Sequence, residues 1–135
     1  MNSRSDSAHF GEHLTVDGYD GNTQLLNDRA VLAACFEDLP ELLGMTKLSP
    51  IAAYEAPENS VKDPGGWSGF VVIAESHISV HTFPGRRFVS ADVYTCRNGL
   101  DAGTVINYFK KAYGLLDVET QLIKRGTRYP SVNID

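Results

Sequence analysis

Four side chains in the middle of this 135-residue chain have the types that nucleophilic attack and proton transfer require. Ser76 offers a hydroxyl that can attack a carbonyl once its proton is taken. Ser68 lies eight residues before it, His81 five after it and Cys96 twenty after it. Histidine is the side chain best tuned to move protons near neutral pH. A thiol, with a reference pKa of ~8.5, still carries a proton to give there. Taken singly, each residue has an ordinary reading: a strand-end serine, a satisfied strand histidine, a small buried hydrophobe. Two other chemistries fail on geometry. His77 and His81, four apart on a strand, are separated by ~13 Å and cannot share a zinc ion, so no metal is expected. A serine hydrolase would set its nucleophile in a tight Gly-x-Ser-x-Gly turn, and Glu75-Ser76-His77 has no such glycines.

Taken together, the motifs around these residues are specific. Glu75-Ser76-His77-Ile78-Ser79-Val80-His81-Thr82-Phe83-Pro84, Trp67-Ser68-Gly69-Phe70, Ser90-Ala91-Asp92-Val93-Tyr94-Thr95-Cys96 and the early Gly11-x-His13-Leu14 resemble the bacterial and archaeal S-adenosylmethionine decarboxylase proenzymes. The resemblance runs over roughly residues 9 to 126. It implies cleavage between Glu75 and Ser76, with Ser76 becoming a covalent pyruvoyl cofactor. That group would form a Schiff base with a substrate amine and take up the electrons of the breaking carbon–carboxylate bond, as pyridoxal phosphate does elsewhere. The resemblance further implies that His81 removes the Cα proton of residue 76 during processing and that Ser68 supports this step. Cys96 would protonate the substrate carbon after carbon dioxide leaves. A homodimer of processed two-chain protomers and a role in polyamine synthesis follow from the same resemblance.

The chain also departs from the family pattern. Members acting on S-adenosylmethionine commonly carry Trp-Pro-Glu where this chain has Phe83-Pro84-Gly85. Phe83 could still stack on adenine, with less area, and Trp67 is a second candidate for that contact. The glutamate has no counterpart. These changes keep arginine and ornithine open as substrates, their basic tails needing a carboxylate such as Glu58, Asp63 or Asp92. A non-catalytic regulatory partner of another decarboxylase is a further alternative, against which the presence of Ser76 argues.

The surrounding elements follow from periodicity. Strands are expected at residues 13–19, 50–56, 69–74, 78–83, 88–95 and 116–123. One helix is expected from Asn27, carrying Val31, Leu32, Cys35, Phe36 and Leu39 on one face up to Gly44. Another is capped by Asp101 and closed by Gly114, with Val105, Tyr108, Phe109 and Ala112 facing inward. Residues 57–67 read as a loop. Short links between strands favour antiparallel neighbours. The fold expected is an α+β two-layer sandwich, an antiparallel sheet with two main helices on one face.

Composition sets the outer limits. With 42% hydrophobic and 21% charged residues, residues 9–135 form one ordinary globular domain, preceded by a polar tail at 1–8. A core of this size is small for an enclosed active site, and a site shared across a dimer would relieve that limit. The net charge of −5 argues against nucleic-acid binding. No apolar run approaches the ~20 residues of a membrane span, and residues 1–8 lack the apolar stretch of a signal peptide. Two cysteines make no disulfide framework. The location expected is cytoplasmic.

Overall fold

The computed structural model describes residues 9–59, 65–74 and 76–134. The tail at 1–8, Asp63 and Glu75 lie outside them. Six strands form one antiparallel sheet: β1 (Gly11–Tyr19), β2 (Ala52–Ala56), β3 (Gly66–Ile73), β4 (Ser76–Phe83), β5 (Phe88–Thr95) and β6 (Asp117–Arg125), ordered β2-β3-β4-β5-β1-β6. Among the described residues three α-helices, α1 (Thr23–Leu26), α2 (Arg29–Leu43) and α3 (Ala102–Tyr113), accompany the sheet. The expected two-layer α+β sandwich is the observed one.

Alternation along the strands makes one face apolar. Leu14, Val16, Val71, Ile73, Ile78, Val80, Val89 and Val93 are all buried in one cluster with Leu32, Phe36 and Leu39 of α2 and Val105 and Phe109 of α3. Cys35 lies in that cluster, and burial pushes its thiol up to about 12, as suits a core residue. The other face carries no helix among the described residues. It presents His13, Ser68, His77, Ser79, His81, Ser90, Asp92 and Tyr94, each only partly covered or exposed.

The first helical region is more divided than periodicity suggests. Asn22 caps the single turn of α1 through Leu25 N–H, and Asn27 ends that turn. Asp28, rather than Asn27, is the N-cap of α2, accepting from Ala30 N–H. Pro40 sits inside α2 without breaking it, and Gly44 closes the helix at φ 67. Asp101 caps α3 and Gly114 ends it, as expected. Gly69 lets α2 approach β3: a Cβ there would lie 2.5 Å from the Ala52 carbonyl oxygen and 2.8 Å from Phe36.

Candidate active site

The start of β4 holds the one positive-φ residue other than glycine among the described strand residues. Ile73 pairs with Ser76, which leaves Ala74 and Glu75 as the whole link between β3 and β4. Two-residue hairpins favour Gly, Asn or Asp at positive φ, and this link has none of them. Ser76 itself has φ 152. A residue with a Cβ in that region costs about 1–3 kcal/mol and persists only where its surroundings enforce it. They do so here. Ala74 N–H donates to the Thr46 carbonyl at 2.8 Å and Leu48 N–H to that of Val72 at 2.8 Å, pinning the end of β3. On its other side Ser76 pairs with Thr95.

Cys96 follows Thr95 directly, so the sheet brings Ser76 and Cys96 to the same end. Cys96 is exposed. Its segment is held by neighbours on both sides. Arg97 N–H donates to Thr95 Oγ1, and the Arg97 guanidinium donates to the Leu43 and Gly44 carbonyls at the C-terminus of α2, at 3.3 and 2.8 Å. Leu100 N–H donates to Glu12 Oε1 at 2.9 Å. Gly11 completes the fit. A Cβ on it would overlap the Thr95 carbonyl oxygen and lie 2.7 Å from the Cys96 Cα.

Ser68 and His81 form a second group. They are direct cross-strand partners on β3 and β4, and Ser68 Oγ and His81 Nδ1 share a hydrogen bond of 2.9 Å. His81 lies five positions along the strand from Ser76, roughly 16 Å away. One chain therefore does not bring the Ser68–His81 pair to Ser76. Phe83 lies with the His81 end, its ring 5.6 Å from that of Phe88. Trp67 does not join it. Its ring packs against the core on the helix side, and its Nε1–H donates to the Asn27 carbonyl at 3.2 Å. The structure thus turns Trp67 to the face opposite Ser68, which does not favour it as a substrate contact in this chain.

Two shallow hollows meet at Ser79 and His81. One, of about 510 Å³, is polar and includes Thr15, Asp17, Asp92 and Glu119. The other, of about 420 Å³, is apolar and includes Tyr54, Phe70 and Val72. Glu58 belongs to neither; it lines a hollow with Glu55 and Gly85. Asp92 is already engaged. Burial raises its pKa, but hydrogen bonds from Ser79, His13 and His77 outweigh that and hold the carboxyl below its usual range. Such a group is poorly placed to take a basic substrate tail as well.

His13, His77 and Asp92 have the types and closeness of a metal site. Their hydrogen bonds oppose that use. Arg125 Nη1 lies 2.9 Å from His13 Nδ1. A guanidinium can only donate, so His13 carries its proton on Nε2, the atom a metal would need. Metal-bound histidines instead donate from their second nitrogen to an acceptor.

Comparison with known proteins agrees with this architecture. The family model for S-adenosylmethionine decarboxylase matches residues 12–126. The chain belongs to the S-adenosylmethionine decarboxylase family. A relative named S-adenosylmethionine decarboxylase proenzyme from Brevibacillus brevis is 35% identical, the match covering 73% of this chain and 69% of the relative. Another of that name from Symbiobacterium thermophilum is 29% identical over 87% of this chain and 84% of its own. The crystal structure of the adenosylmethionine decarboxylase from Aquifex aeolicus superposes with a TM-score of 0.74 at 25% identity, covering 94% of this chain and 96% of that one. Family membership places this chain among the carboxy-lyases.

Motif spacing singles out Ser68, Ser76, His81 and Cys96 as candidates but not what surrounds them. The Arg97 clamp and the Asp92 cluster come from residues on β1, β4, β6 and α2 that no local pattern joins. The signal that could have found part of the cluster is the alternation that puts Ser90, Asp92 and Tyr94 on one face.

Proposed function

We propose that this chain is a self-processing decarboxylase of S-adenosylmethionine in polyamine synthesis, with a pyruvoyl group made from Ser76 and a site completed by a second copy of the chain. The observation that carries the reading is Ser76 itself: a serine at φ 152, after a two-residue link, beside an exposed cysteine. Backbone strain of this kind fits a bond poised to break.

Processing uses the chain's own atoms. Ser76 Oγ attacks the Glu75 carbonyl carbon. The peptide bond to the nitrogen of residue 76 breaks, leaving an ester and a free amine. Removal of the Cα proton of residue 76 then expels the Glu75 carboxylate as a new C-terminus. Water hydrolyses the remaining enamine, in its imine form, to a ketone and ammonia. His81 is the base for the Cα proton, with Ser68 holding its ring. Since His81 lies roughly 16 Å along β4 from Ser76 in the same chain, His81 of a second copy must supply this function. The helix-free face, with Phe70 and Val72 exposed, supports a homodimer formed through that surface.

The pyruvoyl group, when present, supplies the electron sink for loss of carbon dioxide. Cys96 delivers the proton to the substrate carbon from its place beside residue 76. The polar hollow at Asp17 and Glu119 suits a cationic sulfonium and amino-acid portion. The apolar hollow and Phe83 suit an adenine ring. The relatives named above carry S-adenosylmethionine in their names, and the arginine or ornithine reading finds no support among them. No helix among the described residues is long and apolar enough to cross a membrane, and we place the enzyme in the cytoplasm.

The test is intact mass with carbon dioxide release. Wild type should yield fragments 1–75 and 76–135, the second opening on a pyruvoyl group, and should decarboxylate S-adenosylmethionine in preference to arginine, ornithine or lysine. Ser76→Ala should stay full length and inactive. An uncut wild-type chain would sink the proposal.

A further inference from the structure

A single polar line crosses four strands on the open face of the sheet. It begins at Arg125 on β6, whose guanidinium also lies 4.8 Å from the centroid of the Tyr94 ring. Arg125 Nη1–H donates to His13 Nδ1 on β1. His13 Nε2–H donates to Asp92 Oδ2 on β5 at 2.6 Å, and the same oxygen accepts from His77 Nε2 on β4 at 2.9 Å. Ser79, also on β4, donates to the other oxygen. The strand order β4-β5-β1-β6 makes the line continuous. Asp92 is the point where its donors meet.

The core does not require this line, because all of its members lie on the face opposite the helices. His77 gives it meaning. It is the residue directly after Ser76, whose backbone is strained. The easiest release of that strain is rotation of the chain at 76 and 77 back to ordinary extended values. A side chain tied to Asp92 resists that rotation, and Asp92 is itself held from β1 and β6. We propose that Asp92 is a positioning residue for self-cleavage. It clamps His77, backed by His13 and Arg125, and so keeps Ser76 in the conformation from which its hydroxyl attacks. This inference rests on the reading that the chain is cut before Ser76.

The experiment follows cleavage over time by intact mass in wild type, Asp92→Asn, His77→Gln and His77→Ala. Loss of a charge-assisted hydrogen bond should slow cleavage by roughly tenfold or more in Asp92→Asn, with the thermal midpoint close to wild type. Glutamine keeps an N–H near the Nε2 position and should recover most of the wild-type rate; alanine should not. A wild-type cleavage rate in Asp92→Asn would overturn the clamp. Equal slowing by His77→Gln and His77→Ala would overturn it too, since the imidazole itself would then be what matters. A wild-type chain that never cuts would instead overturn the underlying reading of the site.

Discussion

The two ends of β4 are built on different principles. At the Ser76 end the backbone carries the constraint: φ 152, a two-residue link and neighbours that pin it on both sides. At the His81 end the backbone is ordinary paired strand, and the feature that stands out is a side-chain contact, the Ser68–His81 hydrogen bond. Strained backbone suits a bond that breaks once. A relaxed strand suits a base that must hold one orientation while protons move. On the proposed reading neither end suffices alone, because roughly 16 Å of strand lies between them.

The sharpest way to break this comparison is complementation. His81→Ala and Ser76→Ala should each remain uncut when expressed alone. Expressed together, the His81→Ala chain keeps its serine and receives His81 from the other copy. It should be cleaved, giving recovery from none to a substantial fraction of that chain. Intact mass resolves the two chains. No cleavage in the mixed sample would show that each chain must use its own histidine, and the division of the site between copies would fall.

A second test separates chemistry from processing at the Ser76 end. Cys96→Ala should still cleave itself, since the thiol takes no part in the attack on the Glu75 carbonyl. It should decarboxylate about 10²-fold or more slowly, the size expected for a positioned general acid. It should also inactivate faster per turnover, because the proton would reach the cofactor carbon instead. Near-normal turnover would remove Cys96 from the mechanism.

Much of this difference is legible in the sequence, and the reasons for the rest are physical. Val89, Ala91 and Val93 alternate with Ser90, Asp92 and Tyr94, so the two faces of β5 can be told apart from the order of residues alone. Gly114 and Asp101 mark the ends of α3 by their own backbone and hydrogen-bonding preferences. Asn27 misleads because Asn and Asp both cap helices, and only the extra turn of α1 assigns that role to Asp28. The face that Trp67 takes is not marked by its own residue type, because one residue along a strand reverses the face. Its neighbour Ser68 points to the open side while the indole packs on the core. The distance between Ser76 and His81 follows from their spacing only once β4 is known to run unbroken between them. The Asp92 line joins β1, β4, β5 and β6, and such non-local contacts leave no periodic trace.

Gly11 and Gly69 give a third comparison, because each allows a close approach near one group of site residues. Gly11→Ala would force the Thr95–Cys96 backbone away from β1. Overpacking of this kind costs typically about 1–3 kcal/mol. It should lower the thermal midpoint and slow both cleavage and turnover. Gly69→Ala would push α2 off β3 beside Ser68. At similar cost in stability, it should slow cleavage while leaving turnover of already processed enzyme closer to wild type. Identical effects of the two changes on cleavage and turnover would erase the functional distinction between the ends.

The smallest expected effect concerns Arg97, which tests whether Cys96 is held by charge or by shape. Its guanidinium spans the Leu43 and Gly44 carbonyls, so two separate nitrogens tie the Cys96 segment to the end of α2. A cation there also complements the negative end of the helix dipole, worth about 0.3–1 kcal/mol at an exposed site. Arg97→Lys keeps the charge and can satisfy one carbonyl at a time. It should preserve most of the thermal midpoint and self-cleavage while reducing turnover a few-fold, because Cys96 would lose part of its orientation. Arg97→Gln removes the charge and should lower the midpoint further. If lysine and glutamine reduce turnover equally while differing in stability, the fork geometry positions Cys96. If lysine restores turnover fully, the charge at the helix terminus is sufficient, and the two-pronged contact adds nothing to catalysis.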